Sequence, residues 1–292
     1  MRLHVVDGTF ELYRAHFSRR PDRLAADGTD IKATLGVMDS LLALFSDPRE
    51  HATHIAVAFD NPIESFRNDL FADYKTGEGM EPALVAQMDL VEEAVAALGI
   101  VVWSMDRFEA DDALATAANR WREAVTQVRI MTPDKDLGQM VAGSKIVQVD
   151  RIRNRVIDED GVRARNGCDP TSIPDWLALV GDSADGIPGI TGFGAKTAAK
   201  LLSVYGSIEA IPSNCDDWAV PIRGAPRLAT TLKEHLDEAR LYRVLATLAT
   251  NVPLEENLED LLWRGADPSL YQRISERLGT STPEPLRWRS TR

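Results

Sequence analysis

The feature that most constrains the fold is the alternation of two kinds of apolar segment along the first half of the chain. Short runs rich in β-branched residues alternate with longer stretches in which apolar residues recur every three or four positions. This alternation is typical of βαβ units and predicts an α/β fold with a mostly parallel sheet flanked by helices. The predicted strands are Leu3–Val6, His54–Phe59, Ile100–Trp103, Val128–Met131 and Lys145–Val149. The predicted helices include Lys32–Phe45, Pro82–Leu98 and Asp111–Trp121.

The chain changes character after Asp158, where the strand pattern ends and Gly and Pro separate short helical stretches. We expect a helical region there, followed from Thr280 by a polar tail that frays. The polar segment from Pro62 to Pro82 is predicted to be a mobile loop or arch.

Composition limits the classes of protein to which the chain can belong. A chain of 292 residues, of which 44% are hydrophobic, suits a globular core with a helical addition. The N-terminus does not resemble a signal peptide, and no apolar run approaches the roughly 20 residues that span a bilayer, so we expect a cytoplasmic protein with no membrane partner. Cys168 and Cys215 lack ligand spacing, which argues against zinc and against a disulfide framework. The formal charge of −12, taken alone, argues against a nucleic-acid partner.

Three of the predicted strands lead into an aspartate: Asp7, Asp60 and Asp134. Because ligands bind at the carboxyl ends of strands in open α/β sheets, these side chains can meet at one edge. Aspartate also ends strands as an ordinary turn residue, and for any one of the three that alternative is stronger. Asp150 fits the same pattern but has no acidic neighbours to support it.

Further acidic residues accompany these strand ends, and we expect them in the same pocket. Capping of a helix is the alternative for those that open the Ala-rich helix. They are Glu109, Asp111 and Asp112 before and within that helix, Asp136 after the fourth strand, and Asp182 and Asp185 in a Gly-bounded loop.

Electrostatics favours a metal site. Two like charges 4 Å apart cost about 4 kcal/mol at an effective dielectric constant of 20, so a cluster of carboxylates requires protons or cations. Carboxylate oxygens without Cys or His favour Mg²⁺ or Mn²⁺, and two such ions support phosphodiester cleavage. If these nine acids bind metal ions, they account for most of the formal charge of −12, and the rest of the chain is nearly neutral. The negative charge then no longer argues against a nucleic-acid partner.

A glycine-containing turn follows the last acidic pair and leads into a helix. The segment begins at Gly189; Gly192 and Gly194 bracket the turn, and Lys196 and Thr197 lie at the start of the helix. Backbone N–H groups at such a helix start can bind a phosphate, although a plain turn between helices is the alternative. The spacing matches neither a P-loop nor a dinucleotide-binding motif.

Together these motifs resemble the 5′ nuclease family, which includes flap endonucleases and the 5′-3′ exonuclease domain of bacterial DNA polymerase I. The likeness covers about residues 1–279. The motifs are, in order, Val-Asp7-Gly, Phe59-Asp60, Phe66-Arg67 with Tyr74-Lys75, Glu109-Ala-Asp-Asp112, Asp134-Lys-Asp136 and Gly181-Asp-x-x-Asp-Gly-Ile-Pro-Gly189.

The resemblance implies a stand-alone nuclease with a PIN-like core over 1–160, an arch at about 62–82, a helix-hairpin-helix region over 161–279 and a flexible tail over 280–292. It implies two Mg²⁺ or Mn²⁺ ions per active site, and K⁺ at the hairpin. One ion would be bound by Asp7, Asp60, Glu109 and Asp111, and the other by Asp134, Asp136 and Asp182, with Asp112 and Asp185 in support.

The resemblance also assigns residues that contact DNA. Lys75 would contact the scissile phosphate with help from Arg67. Tyr13 would stack on the terminal base, although a half-buried helix tyrosine is a close alternative. Gly189, Gly192, Gly194, Lys196 and Thr197 would bind the duplex.

Two departures from the family pattern bear on activity. Glu78 stands where the family usually has a basic residue, and Gly186 replaces the usual Asn. The expected partner is DNA with 5′ ends, flaps or nicks, or the RNA of RNA–DNA hybrids, bound by a monomer. The alternatives are a non-catalytic DNA-binding module and a PIN-type ribonuclease.

Overall fold

The computed structural model describes residues 1–290, so the last two positions of the tail predicted over 280–292 lie outside the described residues. The strands are β1 (Arg2–Asp7), β2 (His54–Asp60), β3 (Val101–Met105), β4 (Gln127–Met131), β5 (Ile146–Asp150) and β6 (Arg155–Ile157). The helices are α1 (Gly8–His16), α2 (Lys32–Ser46), α3 (Phe66–Leu70), α4 (Pro82–Val85), α5 (Met88–Ala97), α6 (Ala110–Trp121), α7 (Glu159–Asn166), α8 (Ile173–Val180), α9 (Ala195–Tyr205), α10 (Ala225–Glu234), α11 (Leu236–Ala246) and α12 (Pro268–Leu278).

The first of two compact units contains Met1–Ser65, Thr76–Thr132 and the described chain from Thr250 on. Its four strands are all parallel and lie in the order β3-β2-β1-β4. Strand β1 is central, and its apolar side chains are buried because helices cover the sheet. The predicted α/β class with a parallel sheet is confirmed.

The second unit contains Phe66–Lys75 and Pro133–Ala249. It has the antiparallel pair β5 and β6, but most of it is helical, with α8 packed against α9 and α11. The helical region that we expected after Asp158 is therefore confirmed. None of the helices in the described range has both the length and the apolarity needed to cross a bilayer.

The prediction of one continuous helix over Pro82–Leu98 is wrong at its centre, where α4 ends and α5 begins. Gln87 lies at the break and is fully buried. Its Oε1 accepts the backbone N–H of Thr34 at 3.0 Å, near the start of α2, where Ile31 provides no side-chain cap. A long-range hydrogen bond thus competes with helix continuity, and the local apolar period does not reveal it.

The polar segment from Pro62 to Pro82 contains the short helix α3, which was not predicted. Arg67 on α3 is 1% exposed, and its Nε donates to the carbonyl oxygen of Leu245 at 2.7 Å. A charged residue inside a polar segment gave no sign of burial in the sequence. Strand β6 was also missed because it has only three residues.

A buried ionic group joins β1 to β4. His4 pairs in register with Arg129, and both contact Glu50: Arg129 Nη2 donates to Oε1 at 2.9 Å, and His4 Nε2 lies 3.1 Å from Oε2. Burial alone would raise the pKa of Glu50, but the hydrogen bonds from His4 and Arg129 outweigh it and hold the pKa at about 2.

Glu50→Gln should lower the free energy of unfolding at pH 7 by about 3 kcal/mol, because Arg129 stays buried without a counter-charge. The folded pKa lies below the usual 4.5, so the wild-type contribution is complete above pH 4.5 and is lost as the pH falls towards 2. Denaturant unfolding across this window should show a flatter acid dependence in the variant. Glu93→Gln, which breaks an exposed pair with Arg277, is the control and should cost less than about 1 kcal/mol. Equal acid slopes for wild type and Glu50→Gln would contradict the assignment.

Candidate metal centre

Two aspartates lie at the carboxyl end of the parallel sheet in the first unit. Asp7 is the last residue of β1 and Asp60 the last of β2, and the register pairs Asp7 with Ala58. Each carboxylate accepts a backbone N–H at the start of a helix. Asp7 Oδ1 accepts from Phe10 at 2.8 Å, and Asp60 Oδ1 accepts from Ala110 at 2.7 Å. These bonds fix both carboxylates at one edge of the sheet.

The start of α6 adds three acids to this edge. Glu109 is buried before the helix, and Ser65 Oγ donates to its Oε1 at 2.7 Å. Asp112 is fully buried, and its Oδ2 accepts the backbone N–H of Glu109 at 3.0 Å. Asp111 is only half-buried. Capping therefore accounts for one bond of Asp112, and this bond also orients Glu109.

The second unit holds the tightest acidic group. Asp136, Asp182 and Asp185 each offer an oxygen, and these oxygens lie within 4.8 Å of one another. Oδ1 of Asp136 is buried and has no hydrogen-bond partner among the described residues. An unsatisfied buried acceptor costs about 1–3 kcal/mol, which a cation at this point would offset. Because the donors are all carboxylate oxygens, the group fits a hard divalent cation such as Mg²⁺ or Mn²⁺.

Charge repulsion reinforces this fit. Burial first, and then the negative charges of Asp134 and Asp185, raise the pKa of Asp136 well above its usual range. Asp134 is exposed and lies outside the group of three, but its Oδ1 accepts the N–H of Asp136 at 2.9 Å. It thus contributes negative charge and fixes the turn that carries Asp136.

Two basic residues beside these acids were not predicted from the sequence to belong to the site. The Nζ of Lys135 bonds to Oδ2 of Asp182; burial lowers the pKa of Lys135, but the contact with Asp182 outweighs burial and raises it. Arg165 on α7 donates to the carbonyl oxygen of Lys135 at 3.1 Å. The position of Lys135 between two acids could have identified it, whereas Arg165 has no local signal.

A close backbone approach brings Lys75 to the same loop. Asp182 and Ile187 pair across the loop, and the backbone N–H of Lys75 donates to the carbonyl oxygen of Asp185 at 3.1 Å. Lys75 Nζ lies 3.2 Å from Asp185 Oδ1. Gly186 has a φ of +75°, and a Cβ there would lie 2.2 Å from the carbonyl oxygen of Asp73. The Gly that departs from the family pattern is thus the residue that lets these segments meet.

Gly186→Ala should lower the free energy of unfolding by about 1–3 kcal/mol, because the new Cβ meets backbone and the left-handed φ strains it. Denaturant unfolding measures this change. Gly194→Ala is the matched control, since its φ is −104° and a Cβ there meets nothing within 4 Å. If both alanine variants unfold at the same denaturant concentration, the close approach at Gly186 does not exist.

The side chain of Arg67 is buried in the interior of the second unit. Besides its bond to Leu245, Nη2 donates to the carbonyl oxygen of Thr247 at 3.1 Å, and the guanidinium lies 4.6 Å from the ring centroid of Phe66. These contacts tie α3, which precedes Lys75, to the end of α11.

The glycine turn connects α8 to α9. Gly189 has a φ of +72°, and a Cβ there would lie 2.5 Å from the backbone nitrogen of Gly181, so only glycine fits. Gly192 also has a positive φ, and Gly194 precedes α9 without a side-chain cap. Lys196 is exposed in the first turn of α9, next to the half-buried Thr197. The start of α9 therefore offers N–H groups beside a lysine.

Tyr13 lies on α1 in the first unit and is half-buried. It lines a small cleft together with Asp60, and its ring centroid is 6.3 Å from that of Phe17. Phe17 is 63% exposed, and it was not predicted from the sequence as a site residue.

Comparison with known proteins finds a matching family model for each of two parts of the chain. Residues 2–167 match the model of the 5′-3′ exonuclease N-terminal resolvase-like domain, and residues 168–269 match the 5′-3′ exonuclease C-terminal SAM fold. DNA polymerase I of Pseudomonas aeruginosa is 37% identical over 262 residues, which cover 89% of this chain but 28% of that protein. The chain thus spans about three-tenths of the length of such polymerase relatives.

A relative of similar length and a solved structure extend this result. A 5′-3′ exonuclease of Aquifex aeolicus is 33% identical over 276 residues, covering 94% of this chain and 91% of that protein. A bacteriophage T5 flap endonuclease, solved with DNA and metal ions, superimposes with a TM-score of 0.64 at 16% identity, covering 96% of this chain and all of that one. The structural likeness concerns the fold, and the sequence matches establish descent. This chain therefore belongs to the 5′-3′ exonuclease family.

Proposed function

We propose that this protein is a metal-dependent nuclease that hydrolyses DNA phosphodiester bonds at or near 5′ ends, acting as both exonuclease and flap endonuclease. The observation that carries the proposal is the buried Oδ1 of Asp136, which has no hydrogen-bond partner within residues 1–290 and lies in a group of carboxylates suited to a divalent cation. Family membership supplies the reaction class. Retention of all nine predicted acids speaks against a non-catalytic module.

Each unit would hold one ion. In the first unit the ligands would be Asp7, Asp60, Glu109 and Asp111, with Asp112 holding Glu109 in place. In the second they would be Asp136, Asp182 and Asp185, with Asp134 supporting the turn. We thus exchange the roles that the resemblance implies for Asp134 and Asp185, because Asp185 belongs to the close group of oxygens and Asp134 is exposed. When bound, Mg²⁺ or Mn²⁺ supplies Lewis acidity towards the phosphodiester oxygens.

Other residues would position the substrate. The ammonium group of Lys75 would add positive charge at the scissile phosphate, and Arg67 would act as a positioning residue by anchoring α3 ahead of it. Tyr13 would stack on the terminal base. Gly189, Gly192, Gly194, Lys196 and Thr197 would bind the backbone of the duplex, with K⁺ held at the turn.

The finer assignments follow from the family and stay proposals. They are a core over 1–160 with an arch at about 62–82, a DNA-binding region over 161–279, and a tail from 280. We also propose a monomer that acts in the cytoplasm on flaps and nicks, and on the RNA of RNA–DNA hybrids.

The proposal is tested by cleavage of 5′-labelled flap, nicked and blunt DNA, and of a matched RNA, in Mg²⁺, Mn²⁺ or EDTA. We expect short 5′ products from flap and nicked DNA in either metal and none in EDTA. Binding without cleavage would support the non-catalytic module. Preference for single-stranded RNA would support a PIN-type ribonuclease.

Lys196→Glu should weaken duplex binding while leaving turnover at saturating DNA nearly unchanged. Loss of one phosphate contact lowers the slope of log affinity against log salt by about 1. The slope is measured by fluorescence anisotropy of a labelled duplex in EDTA. Arg273→Glu, an equal charge change on the exposed side of α12, is the control. A variant slope equal to that of wild type would remove Lys196 from the interface.

A further inference from the structure

An open groove in the first unit lies away from the metal ligands predicted in that unit; we call it the C-terminal groove. It has a volume of about 1200 Å³ and is lined by Phe45, Thr53, Trp263, Leu286, Trp288 and Arg289, among others. Thr53 directly precedes β2, whereas Asp60 ends it, so the groove lies at the opposite end of that strand. Its volume exceeds the 300–1000 Å³ typical of small-molecule sites, which favours a larger ligand.

Two arginines at the groove form no salt bridge within residues 1–290, although Arg287 Nη2 donates to the carbonyl oxygen of Trp263 and Arg289 lies close enough to Asp267 for an electrostatic interaction. Neither Arg287 nor Arg289 lies within ion-pair distance of a carboxylate among the described residues, although the chain has 45 acidic and 33 basic residues. Arg264, by contrast, is paired with Glu259 at 2.6 Å. The carboxylate of Asp267, which also lines the groove, accepts backbone N–H groups at the start of α12. An anionic ligand fits this distribution of charge.

Two large apolar side chains are exposed beside these arginines. Leu286 is 53% exposed and Trp288 is 48% exposed. The ring of Trp288 meets the ring of Tyr271 at a centroid distance of 5.3 Å, and the two are nearly perpendicular. A half-exposed tryptophan held by a second aromatic ring is typical of a protein interface.

The backbone next to Trp288 has an open strand edge. The N–H of Ala266 donates to the carbonyl oxygen of Arg287 at 2.9 Å, and the N–H of Arg289 donates to the carbonyl oxygen of Ala266 at 2.8 Å. The N–H and C=O of Trp288 therefore point to the other side, where neither has a partner among the described residues. Such an edge can pair with an extended peptide.

We propose that the C-terminal groove binds an extended acidic peptide segment of a partner protein. Its backbone would pair with Trp288, its carboxylates would meet Arg287 and Arg289, and its apolar side chains would cover Leu286 and Trp288. This proposal goes beyond the nuclease reaction and uses none of its residues.

Other occupants fit less well. A second copy of this chain, paired edge to edge, would bring like-charged arginines together. A nucleic-acid base finds little room on Trp263, because Phe45 stacks at 3.8 Å and the guanidinium of Arg287 lies 4.8 Å from its ring centroid. The N–H and C=O of Trp288, which have no partner within residues 1–290, also match a peptide backbone.

The test is fluorescence anisotropy with a labelled peptide of alternating aspartate and leucine, with the full-length protein in EDTA. We expect saturable binding that weakens at least about tenfold in the double variant Arg287→Glu with Arg289→Glu, and likewise in Trp288→Ala. Arg273→Glu is the matched control and should bind as wild type does. A probe with N-methylated backbone amides should bind at least about tenfold more weakly, because it cannot pair with the edge.

Several results would overturn the proposal. These are no binding of the peptide to wild type, equal binding by the double variant and Arg273→Glu, or equal binding of the N-methylated probe. Labelled oligothymidylate that competes with the peptide and depends on the same arginines would replace it with a nucleic-acid site. Flap cleavage by the double variant should match wild type, so this test is independent of the nuclease proposal.

Discussion

Asp136→Asn should reduce turnover on a 5′-flap substrate in Mg²⁺ by about 10³-fold, equivalent to about 4 kcal/mol of transition-state stabilisation. Asparagine keeps the shape of the side chain but removes the charge of a buried oxygen that has no partner in the described part of the chain. The remaining acids, Asp182 and Asp185, cannot bind a second divalent cation as strongly. Single-turnover kinetics at saturating Mg²⁺ measures the loss.

Stability in EDTA provides a second readout that does not depend on activity. Asp136 is repelled by Asp134 and Asp185, so removal of its charge should raise the free energy of unfolding, or at least leave it unchanged. Addition of Mg²⁺ should stabilise wild type by mass action and stabilise Asp136→Asn less. Thermal unfolding across a Mg²⁺ series separates these effects from misfolding.

Asp160→Asn is the matched control, because Asp160 is an exposed acid on α7 that pairs with Arg163 at the surface. It should retain wild-type turnover and the wild-type response to Mg²⁺. If Asp136→Asn shows the same Mg²⁺ stabilisation as wild type, the metal assignment in the second unit is wrong even if turnover falls.

Residues whose position follows from local periodicity could be predicted from the sequence. Asp7 and Asp60 end parallel strands, and short apolar runs rich in β-branched residues locate those strand ends within a residue or two. The start of α6 is likewise visible, because its acids precede an uninterrupted helical period. The parallel class of the sheet follows from the same alternation.

Residues whose position depends on distant contacts could not be predicted. The break at Gln87 arises from a hydrogen bond to Thr34, which is far away in sequence. Gly186 departs from the family pattern, and in the structure it permits close packing against Asp73, which the sequence did not predict. Burial of Arg67 depends on carbonyl groups at the end of α11. In each case the decisive partner is separated by many residues, so no local pattern encodes it.

Lys75→Ala should reduce turnover by about 10²–10³-fold with little change in KM, the range seen when one preorganised donor to the transition state is removed. Three contacts fix the position of the residue. Its backbone N–H is bonded to Asp185, Nζ lies 3.2 Å from Asp185 Oδ1, and Nζ lies 5.7 Å from the ring centroid of Tyr74.

The alternative is that Lys75 only stabilises the loop through its pair with Asp185. Lys75→Arg distinguishes the two roles, because arginine keeps the charge and can keep the ion pair but places its donors in a different geometry. A structural role predicts near-complete rescue by arginine, together with a loss of stability in Lys75→Ala. A role at the phosphate predicts partial rescue of turnover and unchanged unfolding.

Lys145→Ala controls for the loss of an exposed lysine from the same unit and should cleave at the wild-type rate. The decisive measurement is the single-turnover rate on a 5′ flap at saturating enzyme, since product release then does not contribute. Transition-state stabilisation by Lys75 requires that kcat and kcat/KM fall together, whereas uniform substrate binding would raise KM alone. A Lys75→Ala rate within twofold of wild type would mean that the ammonium group does not act on the scissile phosphate, and that its contact with Asp185 is only part of the loop.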